Sequence, residues 1–252
     1  MVIGEGVTSI DDEAFYNCSS LTSIEVAVGI TKYQSIDGNL YNKDGTTLIQ
    51  YARGKTATEF VIPDGVTSIG NYALYNCTNL TSVAIPDSVT SIGFYAFQNC
   101  SSLISVVIPE GVTEINGTVF SDCTSLTSVE IPDSVTTIHH YAFEGCTSLT
   151  SIEIPDSVTW IGNHAFYNCT SLASIVIPDG VTDITERVLS CTSLTSVVIP
   201  DGVTWIGTSA FDACSGLTSV TIPNSVTTIY GYAFRDCTSL TSITFKGTVA
   251  QW

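Results

Sequence analysis

The sequence predicts an α/β solenoid: a right-handed coil with a parallel β-sheet on one face and short strands and helical turns on the other. Three observations support this. A phrase of 23 residues recurs along almost the whole chain, and LTSIEIPDSVTWIGNHAFYNC from Leu149 to Cys169 is a clean copy. Cysteines stand at Cys77, Cys100, Cys123, Cys146, Cys169, Cys191, Cys214 and Cys237, and prolines from Pro63 to Pro223 keep the same step of 23, with one step of 22 in each series. Within each copy the apolar residues alternate and then change to the spacing of a turn. A unit this short encloses no core, so the units must stack and share an apolar strip between neighbours. The unbroken period assigns residues 1–252 to one elongated solenoid rather than to two domains.

The chain enters mid-pattern. Val2 and Ile3 match the end of a strand and Gly4 stands where later copies have Pro, so the sequence reads as a piece of a longer protein. No signal peptide opens it, and in such a piece that says little about the parent. The next two long strands start at Leu21 and Ala57, 36 residues apart, so the coil at 27–56 carries 13 extra residues and lacks the repeat cysteine. Its segment SIDGNLYNKDGTTLIQY, from Ser35 to Tyr51, reads as two strands flanking Asn42-Lys43-Asp44-Gly45, a β-hairpin signal.

From Ala57 onward the copies are regular. In one of them Leu149, Ile152 and Ile154 point inward, Ser151 and Glu153 point outward, and Pro155 ends the strand because it has no N–H for a ladder. Pro-Asp-Ser or Pro-Asp-Gly then makes a turn. Val158 and Ile161 form a shorter inward pair, and Ala165, Phe166 and Cys169 have the spacing of one helical turn. Ten equivalent long strands, from Leu21 to Leu240, are expected in one parallel sheet on the order of 45 Å long. Near Arg187 one residue is missing and Leu189 replaces the repeat phenylalanine, which predicts a local bend.

Charge excludes several functions. With 24 acidic residues against 7 basic ones the formal net charge is -17, a surface that repels nucleic acid and anionic lipid. No apolar run reaches the length of a membrane span, so direct insertion is not expected. Four of the seven cations, Lys32, Lys43, Arg53 and Lys55, lie in the longer coil, which predicts a basic hairpin projecting from an acidic rod and, at most, weak salt-sensitive association of a monomer. The cysteines are too widely and evenly spaced for zinc or a disulfide framework, and read as free thiols buried at one place in every coil. His139, His140 and His164 are the only histidines and make a poor metal site. No nucleophile motif, phosphate-cradling loop or carboxylate pair stands out, so the chain reads as non-enzymatic and without a cofactor.

The repeat LxxIxIPxSV fits the leucine-rich repeat pattern, and IPDSVTxIGxxAFxxC with the inserted DGxLYNKDGTTLI resembles the BspA-like leucine-rich repeat family over nearly all 252 residues. The closing FKGTVAQW, Phe245 to Trp252, is similar to the way arrays of this family terminate. The resemblance implies a surface or secreted protein that adheres to host matrix proteins or to other cells, and it carries no catalytic motif. The function expected is therefore protein recognition or adhesion. A rigid spacer and a glycan-binding module are the alternatives.

Candidate contact residues come from departures from the repeat. Trp160 and Trp205 share one outward position, where other coils have Ser68, Ser91, Glu114, Thr137, Asp183 and Thr228, and they are expected roughly 10 Å apart with Asp183 between them. Tyr141 and His164 occupy a neighbouring column. Exposed aromatic residues are the usual anchors of protein interfaces, so Trp160, Trp205, His164, Tyr141 and Asp183 form the candidate site.

Overall fold

A computed structural model describes residues 1–247; the rest of the closing FKGTVAQW, from Thr248 on, lies outside the described residues. The chain is a β-solenoid of stacked parallel strands. On the long-strand face Glu59–Val61, Ser82–Ala84, Ser105–Val107 and Ser128–Glu130 make one four-stranded sheet. Ser151–Ile152, Ser174–Val176, Ser196–Val198, Ser219–Ile222 and Ser242–Phe245 make a second sheet of five. The register is the repeat itself: Ser174 faces Ser196, which faces Ser219, which faces Ser242.

The single sheet of ten expected from the sequence is thus divided. Its first member, Glu25–Val26, pairs with Val2–Ile3 and not with Glu59–Val61. The inserted residues take its other side, where the Ile24 N–H donates to the Gly38 carbonyl at 2.8 Å and Ser35 Oγ donates to the Ile24 carbonyl at 2.6 Å.

On the opposite face the hairpin forms as expected, with Asn39–Asn42 antiparallel to Thr47–Gln50. A further strand, Tyr33–Ile36, is antiparallel to Asn39–Asn42, joined through Asp37 (φ 49°) and Gly38 (φ 70°). Asp-Gly is a strong hairpin-turn pair because both residues tolerate the left-handed region. Thr47–Gln50 then runs parallel to Ser68–Ile69, so the insert is built into the stack.

It does not project as a basic arm. Arg53 is buried with its guanidinium 5.3 Å from the Tyr75 ring centre, Lys43 Nζ donates to the Ile30 carbonyl at 3.0 Å, Lys32 Nζ donates to the Thr8 carbonyl at 2.7 Å, and Lys55 Nζ donates to the Asp37 carbonyl. The cations are spent on holding the coil together. The stack also skips this coil on one side: the Tyr16 and Tyr75 rings lie 4.9 Å apart with their hydroxyls 2.7 Å apart, and Asn71 Nδ2 donates to Asp12 Oδ2 at 2.8 Å.

The helical turns expected at AFxxC are absent; the described residues contain no helix, and the α/β assignment is corrected to an all-β coil. Hydrogen bonding gives the reason. In the coil of Tyr141 the N–H groups of Tyr141, Phe143 and Gly145 donate to Asn163, Ala165 and Tyr167 of the next coil, while those of Ala142, Glu144 and Cys146 close turns on His139, Tyr141 and Phe143. A helix directs all its N–H groups along its own axis, which would leave the next coil unpaired. The alternation requires left-handed backbone at Tyr141 (φ 62°) and Gly145 (φ 69°), and likewise at Tyr72, Tyr95, His164 and Tyr232.

The inward residues make the core. Phe97, Phe120, Phe143 and Phe166 are fully buried and stack with ring centres 5.3, 5.5 and 5.4 Å apart. Each such side chain contributes about 1.5–3 kcal/mol by leaving water. The nine cysteines are free thiols, and all but Cys18 and Cys237 are buried. They do more than fill space. Cys123, Cys146 and Cys169 donate Sγ–H to the carbonyls of Phe97, Phe120 and Phe143 in the coil before, at 3.2, 3.2 and 3.1 Å.

The shortened coil near Arg187 interrupts the short-strand face. Glu114–Ile115, Thr137–Ile138 and Trp160–Ile161 form one sheet, Asp183–Ile184, Trp205–Ile206 and Thr228–Ile229 another, with no ladder between them. A different pair, Phe166–Tyr167 with Leu189–Ser190, holds the two coils together. Here the core leaves a hollow of about 10 Å³ among residues that include Ile161, Phe166, Val188 and Leu189.

Candidate functional site

The aromatic departures from the repeat collect on the short-strand side, because Trp160 and Trp205 are the outward members of two-residue strands whose inward members, Ile161 and Ile206, are buried. Each tryptophan is half-buried against the coils beside it. The expected single cluster is in fact two. Trp205 lies in register with Asp183, whereas Trp160 pairs with Thr137 at the end of its sheet, so Asp183 is not laddered to both.

Trp160 is held by two histidines of the preceding coil. The rings of His139 and His140 approach it edge-on at 5.6 and 5.1 Å, and Phe94, well exposed, lies 6.4 Å from His139. His139 Nε2 is 3.2 Å from Glu114 Oε2. His140 Nδ1 accepts the Asn163 N–H at 2.8 Å, which fixes that nitrogen as unprotonated. Asn71 Oδ1 accepts the Phe94 N–H at 2.9 Å in the same place three coils earlier, so an amide substitutes for this imidazole.

Tyr141 and His164 are brought together as expected, with rings stacked at 4.7 Å, and Tyr167 meets His164 edge-on at 5.5 Å. His164 Nδ1 is buried with no hydrogen-bond partner. Burial, then the nearby Arg187 guanidinium, lowers the His164 pKa below its usual value. No group of three potential metal ligands occurs among the described residues. Trp205 belongs to a separate corner, with the Tyr230 ring 5.8 Å away and nearly perpendicular at 87°.

Sequence reasoning missed Phe94 and Tyr230, and weighed His139 and His140 only as metal ligands. The signal was present, since each stands one or two places after a short-strand isoleucine where other coils have glycine or a small polar residue, but it emerges only when adjacent coils are overlaid.

The repeat region model for BspA type leucine-rich repeats matches residues 1–42, 50–150 and 136–252 in 6 copies. This chain belongs to the BspA-type leucine-rich repeat family. The unmatched stretch 43–49 falls in the inserted hairpin. Among solved structures, a leucine-rich repeat protein from Eubacterium ventriosum is 28% identical with a TM-score of 0.75, over 84% of this chain and 57% of that one. The chain thus spans little more than half the length of that relative. A leucine-rich repeat protein of T. pallidum is 27% identical with a TM-score of 0.56, over 86% of this chain and 91% of that one. No curated protein matches the sequence.

Proposed function

We propose that this chain is a non-enzymatic recognition module of a cell-surface or secreted protein, and that it engages a partner protein through the aromatic and histidine patch around Trp160. The observation that carries this reading is the convergence of Phe94, His139, His140 and Trp160 on the outside of a stack in which most other coils hold small or polar residues in their places. Other coils fold with Thr137 or Thr228 where Trp160 stands. Rigid amphipathic rings at an exposed site supply contact area at little entropic cost. Tyr141 and His164 extend the patch. Family membership supports a protein-binding role, and the acidic surface favours partners that are neutral or basic.

The test uses residues the array itself tolerates. A panel of purified matrix and cell-surface proteins is screened by biolayer interferometry, and the double variant Trp160→Thr, His140→Asn is compared on any binder. Binding weakened by about tenfold or more, with unchanged melting temperature, is the expected result. Unchanged binding removes the patch as the site, and the absence of any binder favours a rigid spacer.

A further inference from the structure

We infer that the corner between Trp205 and Tyr230 is a binding site for one neutral sugar ring of a glycan. It uses none of the side chains that surround Trp160 and does not rest on the protein-binding reading. Trp205 sits on its strand and Tyr230 on the next coil, where the Tyr230 N–H donates to the Ile206 carbonyl at 2.9 Å. Their rings, 5.8 Å apart and 87° to one another, are two walls of a hollow of about 270 Å³ completed by Asn163, Glu186 and Thr208. That is smaller than the roughly 300–1,000 Å³ of drug-sized pockets. It suits a single ring better than an extended peptide.

The lining has the chemistry of a polyol site. Aromatic faces carry negative charge density and attract the C–H edges of a pyranose. Glu186 accepts hydrogen bonds, Asn163 both donates and accepts, and so does Thr208, a set that can address two adjacent hydroxyls. None of these three side chains makes a hydrogen bond within the described residues, so their capacity is open to a ligand. No cation lines the hollow, Glu186 is a carboxylate, and the chain carries a net charge of -17, which selects against uronic, sialic and sulfated sugars.

The array supplies its own control. Equivalents of Trp205 are Ser91, Thr137 and Thr228, and equivalents of Tyr230 are Gly70, Gly93, Gly162 and Gly207. Neither aromatic ring is required by the stack.

The experiment titrates the chain with the methyl glycosides of glucose, galactose, mannose and N-acetylglucosamine, and with methyl glucuronide, by saturation-transfer NMR and calorimetry. At least one neutral glycoside should bind with millimolar affinity, weakened by about tenfold or more in Trp205→Thr and in Tyr230→Gly and unchanged in Trp160→Thr. The glucuronide should not bind. The inference is overturned if no neutral glycoside binds, if binding survives both corner substitutions, or if the glucuronide binds as well as the neutral sugars. Each of these results leaves the Trp160 assay unaffected, so the two readings fail separately.

Discussion

Burial pushes the thiols of Cys100, Cys169 and Cys214 up to about 12, so at neutral pH each keeps its proton and donates it to a carbonyl of the coil before. A Cys146→Ala variant loses one such bond and opens a small void, and should be about 1–2 kcal/mol less stable in denaturant titration. Native iodoacetamide should modify the exposed Cys18 first, with the buried column reacting only as the chain unfolds. His164 gives a pH prediction. Its folded-state pKa lies below the unfolded value, so as acid is added the unfolded chain takes up the proton first. The stability it allows above about pH 6.5 is therefore lost as pH falls through that value and on through the lower folded pKa. In His164→Tyr, which installs the residue found at Tyr72, Tyr95 and Tyr141, the drop in melting temperature from pH 7.5 to pH 5 should shrink. Glu144 works in the opposite sense, because burial and then Asp122 raise its pKa, so only the difference between variant and parent isolates the histidine.

Single elements were legible where one residue carries the signal. Pro223 directly follows the strand Ser219–Ile222, and Asn42 to Gly45 turns the hairpin, with Asn42 Oδ1 accepting the Thr47 N–H at 2.9 Å. The Ala-Phe-x-x-Cys segment was misread because apolar spacing reports which residues face inward and is blind to where alternate N–H groups go. That is decided by the neighbouring coil. Gly54 shows the same dependence: a Cβ there would lie 2.5 Å from the Ser20 carbonyl carbon, a contact set by a coil 34 positions earlier. Gly54→Ala should cost several kcal/mol, or prevent the insert from docking on the first coil, as read by thermal melting. At the shortened coil the remedy runs the other way. Val188→Ile adds a methyl group beside the apolar hollow and should raise stability by about 0.5–1 kcal/mol if the lining accommodates it.

Over the whole molecule, Asp64, Asp87, Glu110, Asp133, Asp156, Asp179 and Asp201 stand exposed at one position of successive coils, and among the described residues only Asp201 of these is ion-paired, with Lys246 Nζ at 3.2 Å. Like charges at coil spacing repel, and salt screens them. Melting temperature should therefore rise with sodium chloride, and calcium should add nothing beyond magnesium at equal ionic strength. A specific calcium effect would reveal a site on this edge. The period foretold the stacked coil and the outward phase of Trp160 and Trp205, but not their division: Trp160 and Asp183 keep the regular step of 23, the missing residue falling later, between Leu189 and Cys191, so nothing in the spacing marks the absent ladder between them. Finally, the S–H stretch absorbs in an infrared window that no other protein group occupies, and its frequency falls when the thiol donates a hydrogen bond. From Cys100 to Cys237 one donor per coil, each bonded to the coil before, makes this column a native vibrational ruler: isotope-labelling single cysteines would show whether the rod melts from its ends or opens first at the short coil.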